Sequence, residues 1–86
     1  MNTKNMTEKE IAYYCQGLIC SLMDQAHEQN ETFKRTDYRW VFGKETAKKL
    51  GGYPYPPNST IEFIGIAVEL DEFRPHTLGL WRKMKI

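Results

Sequence analysis

Apolar positions recur at steps of three and four along the first third of the chain. Ile11, Tyr14, Cys15, Leu18, Ile19, Leu22 and Ala26 form one stripe of helical period. Thr7 and Glu10 stand at capping-box spacing, and Met6 and Ile11 flank them as a hydrophobic staple. The pattern predicts a long N-terminal helix. Residues 1–6 read as a fraying end, and the polar run Gln25, Glu28, Gln29, Asn30 predicts that the helix frays near residue 30.

The period then changes. Glu31 to Asp37 is a polar connection. Tyr38 to Phe42 is a short strand with Tyr38, Trp40 and Phe42 on one face. Lys44 to Leu50 reads as a short helix stopped by Gly51-Gly52. The prolines of Tyr53-Pro54-Tyr55-Pro56-Pro57 exclude helix and central strand, so residues 53–59 are a Pro-rich loop. Thr60 to Leu70 is apolar on both faces and reads as a central strand, with Gly65 marking a bulge or a close approach. Asp71 to His76 is a polar turn containing Pro75, and Thr77 to Ile86 is a last strand. A six-residue link predicts that these two strands pair as an antiparallel hairpin. The expected fold is α+β, a single domain in which the long helix packs on a small, mainly antiparallel three-stranded sheet in the order α-β-α-β-β.

Composition narrows the function classes. The chain has 86 residues, of which 41% are hydrophobic, with a net charge of +1. That balance argues against a dedicated polyanion binder, and no apolar run reaches the length of a membrane span. The polar N-terminus lacks a secretory signal's apolar stretch, so the expected location is cytoplasmic. Cys15 and Cys20 diverge on one helix, which predicts reduced, buried thiols rather than a bridge.

No catalytic constellation emerges. Gly43-Lys44 lacks the Ser or Thr and the upstream glycine of a phosphate loop. Neither His27 nor His76 has neighbours at metal-ligand spacing. Glu69, Asp71 and Glu72 read as a solvated turn. The expectation is a non-enzyme without metal or cofactor.

Surface candidates carry more. Tyr13, Gly17, Cys20 and Asp24 lie opposite the core stripe, and Tyr13, Gly17 and Cys20 are candidates for self-association into a homodimer. Tyr53 and Tyr55 on a stiff loop, Trp81 on the last strand, and the cations Arg39 and Lys48 are candidates for binding a protein partner. Residues 32–61 carry six basic and two acidic groups, and Arg39, Trp40, Lys44, Lys48, Lys49 and Tyr55 offer an alternative as a single-stranded nucleic-acid binder over segment 34–55. A further alternative is a small subunit of a larger assembly. The leading expectation is an inhibitor, adaptor or regulator that occludes one protein target. In character, though in no motif, such a chain is similar to the accessory proteins of phages and mobile elements.

Overall fold

The computed structural model describes residues 1–51 and 62–83. Its elements are α1 (Glu8–Glu28), β1 (Tyr38–Gly43), α2 (Lys44–Lys49), β2 (Glu62–Phe63), β3 (Ile66–Asp71) and β4 (Leu78–Arg82). The architecture is α+β, with α1 packed on one face of a mixed sheet of order β2-β3-β1-β4. The loop carrying Tyr53 and Tyr55, and the end of the chain at 84–86, lie outside the described residues.

Both ends of α1 are capped. The Glu10 amide donates to Thr7 Oγ1 at 3.2 Å, and the Thr7 amide donates to Glu10 Oε1 at 3.1 Å, completing the box. At the other end the helix does not fray. Asn30 takes the left-handed conformation, with φ 55°. The Glu31 amide then reaches back to the Ala26 carbonyl and the Asn30 amide to that of His27. This is a Schellman closure with asparagine in the usual glycine position. Ile11, Cys15 and Ile19 are the buried side of the helix.

The sheet differs from the expected one in three ways. First, the stretch 60–70 is not a single strand. Ile64 and Gly65 both take positive φ, 53° and 72°, and turn β2 back onto β3 with Phe63 opposite Ile66. Two left-handed residues make the tight hairpin turn whose twist matches the strands. A β-branched residue there costs on the order of 1–2 kcal/mol, which is why Ile64 gave no turn signal. Second, β3 and β4 do not pair with each other. β1 lies between them, parallel to β3 and antiparallel to β4. Third, among the described residues the sheet has four strands rather than three, with β3 and β1 both interior, so the second half of the 60–70 stretch keeps its expected place inside the sheet.

The position of β1 follows from its side chains. Trp40 and Phe42 are fully buried, with ring centroids 5.5 Å apart, and Phe63 closes the cluster edge-on to both. The Trp40 indole N–H is satisfied by the Phe63 carbonyl at 2.8 Å. Such bulk is buried most fully at the sheet centre, where neighbouring strands and α1 cover it. Ile66, Leu78 and Ala47 complete the core.

The link from β3 to β4 is carried over the end of β1 by α2. The Glu45 and Thr46 amides, at the start of α2, donate to the Pro75 carbonyl at 2.8 and 3.3 Å. These are helix-end donors that lack partners within the helix. Gly43 makes the approach feasible. A Cβ on it would lie 2.1 Å from the Arg74 oxygen and 2.3 Å from the Pro75 carbonyl carbon.

Residues 1–6 are not frayed. Asn2 bridges to Thr77, and Met1 and Leu78 exchange backbone hydrogen bonds at 2.9 and 3.1 Å. Thr3 is fully buried, with its hydroxyl 2.7 Å from that of Thr46. Lys49 Nζ donates to the carbonyls of Thr3, Lys4 and Met6 at 2.8, 3.0 and 3.0 Å.

Two outcomes are expected. Gly43→Ala lowers stability by roughly 2–3 kcal/mol, because backbone atoms on both sides must move apart. Urea unfolding measures it. Desolvation pushes the buried Cys15 thiol up to about 12, whereas Cys20 is exposed. A thiol reagent therefore labels Cys20 in the folded protein and reaches Cys15 only after denaturation, as mass spectrometry counts directly.

Candidate functional site

Strand alternation leaves the second face of the sheet to Arg39 and Val41 of β1, Glu69 of β3, and Gly79 and Trp81 of β4. Among the described residues no helix covers this face. Cross-strand register sets Arg39 opposite Trp81, and Val41 between Glu69 and Gly79. Trp81 is 60% exposed. Its indole lies across Gly79, where a Cβ would stand 2.7 Å from the ring nitrogen. The missing side chain at Gly79 lets the ring lie along the sheet.

Beside this face stands the loop after β3. Phe73 at its tip is 93% exposed, the largest exposure of any bulky apolar residue described. The loop that carries it is fastened from both sides. Asp71 Oδ1 accepts from the Phe73 and Arg74 amides at 2.8 and 3.2 Å, and Oδ2 accepts from Arg74 Nε at 3.0 Å. Pro75 is held by α2, as described above, and the Thr77 amide returns to the Arg74 carbonyl at 3.2 Å. The amide of Phe73 holds the Asp71 carboxyl below its ordinary range, with the Arg74 side chain and amide adding to it, against a desolvation that pushes it up.

Between the loop and Trp81 runs a groove of about 520 Å³. Val41 and Leu70 provide its apolar lining, and two ion pairs border it, Arg39 with Glu69 and Arg74 with Asp71. Surface pairs add little to folding, being screened by solvent. Their effect here is to neutralise four charges around the groove. Glu72 is exposed and has no ion-pair partner among the described residues.

The sequence-derived candidates separate in space. Arg39 and Trp81 meet at the groove. Lys48 does not line it. It sits exposed on α2 and pairs with Glu45 at 3.2 Å. Tyr53 and Tyr55 fall outside the described residues. Tyr13, Gly17 and Cys20 are all exposed, on the side of α1 turned away from the sheet. Cys20 thus corrects the expectation of two buried thiols. The nucleic-acid set loses two members. Trp40 is fully buried and has no face for a base, and Lys49 is committed to the carbonyls of the first turn. Phe73 was missed, hidden among Asp71, Glu72 and Arg74. The signal for it was Asp71, whose side chain commonly caps its own backbone two residues on.

The depressed Asp71 group sets an expected pH dependence. Its folded value lies below the unfolded one, so the loop closure is complete above the ordinary carboxylate range and is lost as pH falls through the lower folded value. NMR should show the Phe73 and Arg74 amide shifts titrating together below about pH 3.9, the ordinary aspartate value. Asp71→Ala should abolish that coupled titration and broaden both signals.

No known protein family, curated protein or solved structure matches this chain.

Proposed function

We propose that the protein is a non-enzymatic interaction module that grips another protein through Phe73, Trp81 and the groove between them. It acts as an inhibitor, adaptor or regulator by occluding its partner's surface. The observation that carries this reading is the posture of Phe73. A phenylalanine left almost wholly in water adds little to folding, yet three hydrogen bonds to one carboxylate hold its loop in a single shape. Holding the loop beforehand removes most of the ordering entropy that binding would otherwise cost. Aromatic anchors of this type dominate interface energetics when they enter a pocket.

The chemistry of the partner follows from the rim. Arg39 and Arg74 are already neutralised, which leaves Glu72 beside the Phe73 knob. The fitting partner offers an apolar pocket with a cation at its lip. The free thiols suit a reducing compartment such as the cytoplasm. Among the described residues no helix is long and apolar enough to cross a membrane.

The test starts from a partner captured by the tagged protein and then purified. Phe73→Ala and Trp81→Ala should each weaken binding by about tenfold or more in calorimetry, with Glu72→Lys adding a further loss that deepens at low salt. Thermal stability of the two alanine variants should change by no more than about 0.5 kcal/mol, as for exposed sites generally. Unchanged affinity in the Phe73→Ala, Trp81→Ala double variant rejects this surface.

A further inference from the structure

We propose that the N-terminal segment, residues 1–6, is a strap that sets the direction of the Phe73 knob, with Thr3 and Lys49 as its positioning residues. The Asp71 carboxylate fixes the shape of the loop tip, because its partners are the Phe73 and Arg74 amides and the Arg74 side chain. Those contacts are local, so they do not decide where the tip points. Direction comes from the stem that follows, residues 75–78, and every carbonyl of that stem is taken.

The takers alternate. The Pro75 carbonyl accepts from the Glu45 and Thr46 amides of α2. The His76 carbonyl accepts from the Thr3 amide at 2.8 Å and lies 3.2 Å from Thr3 Oγ1. The Thr77 carbonyl accepts from the Gly43 amide at 3.0 Å and from Thr46 Oγ1 at 2.9 Å. The Leu78 carbonyl accepts from the Met1 nitrogen at 3.1 Å. The corner between β1 and α2 thus holds Pro75 and Thr77, while the strap holds His76 and Leu78.

Two side chains fasten the strap itself. Thr3 is fully buried, and its hydroxyl stands 2.7 Å from that of Thr46. Thr46 Oγ1 gives its proton to the Thr77 carbonyl, so across the pair it is Thr3 that donates. The two hydroxyls therefore join strap, α2 and stem in one chain. Lys49, at the end of α2, aims its ammonium at the carbonyls of Thr3, Lys4 and Met6. Charge-assisted bonds of this kind are the stronger ones, and three acceptors satisfy all the protons of an ammonium. A change at Lys49 is then felt at Phe73 through packed, hydrogen-bonded neighbours. Freeing the ammonium loosens Thr3, Thr3 releases the His76 carbonyl, and the stem keeps only its α2 side. The knob swings, and the groove between it and Trp81 loses its fixed width. That bearing on binding rests on the function proposed above. The order of the loop is read with no partner present, so the two can fail separately.

Backbone relaxation of the isotope-labelled full chain tests the coupling. In the unaltered protein the Phe73 and Arg74 amides should have order parameters of about 0.85, the value of rigid backbone. Lys49→Met keeps the side-chain stem and removes the ammonium. Thr3→Val keeps the shape and removes the hydroxyl. Each should lower both order parameters below about 0.6 or broaden both signals by slower exchange. Thr3→Ser returns the hydroxyl and should return the order. The Trp40 and Phe42 amides should stay protected from hydrogen exchange in all three variants, which reports that the fold is kept. If Thr3→Val unfolds, Lys49→Met reads alone. With a purified partner, Lys49→Met should weaken binding by about tenfold, and by nothing further in a Phe73→Ala background. Rigid Phe73 and Arg74 amides in a Lys49→Met variant whose residues 1–6 have become mobile overturn the proposal. So does a strap that stays rigid in both variants, and so does a loss of order that Thr3→Ser shares with Thr3→Val. Loss of loop order with unchanged partner affinity overturns the Phe73 surface instead and leaves the strap standing.

Discussion

The burial of Trp40 and Phe42 on one face of β1 is the constraint around which the chain arranges itself. Two large rings on a six-residue strand are covered only if strands flank it on both sides and a helix lies over it. β3 takes one side and β4 the other, and α1 closes the top through Ile11, Cys15 and Ile19. Because β1 alternates, the same packing that hides Trp40 and Phe42 turns Arg39 and Val41 outward. The second face, uncovered by any helix among the described residues, thus takes its residues from the same alternation that fills the core.

Much of this was legible along the chain, and the parts that were not share a physical reason. The α1 stripe, the Thr7–Glu10 box and the aromatic strand are local patterns, set by spacings of two to four residues, and the structure reproduces them. The pairing of strands is not local. The six-residue length of the β3–β4 link suggested a hairpin. The amides of Glu45 and Thr46 carry that link over β1 instead, and only tertiary contact reveals it. The turn at Ile64-Gly65 was hidden because isoleucine is a poor turn residue, and its presence there reflects burial against the core outweighing local preference. Thr3 was unreadable as a core residue because its partners, Thr46 and the carbonyl of His76, lie far along the chain.

The candidate surfaces show the same division. Trp81 was legible as a ring facing away from the inward side of its strand. Phe73 was not, since its exposure depends on Asp71 and Pro75 holding the loop from opposite ends. Tyr13 and Gly17 were legible from helical geometry alone. Arg39 and Lys48 were visible as charges, but only the folded sheet tells a groove-bordering ion pair from one on a remote helix.

The backbone exchange between Met1 and Leu78 spans 77 positions. The N-terminal segment therefore docks beside β4 only when these two distant parts of the chain come together. Contacts of such long separation repay the entropy of closing the chain between them only once both ends are in place, so this seam ties the stability of the first residues to that of the last described strand.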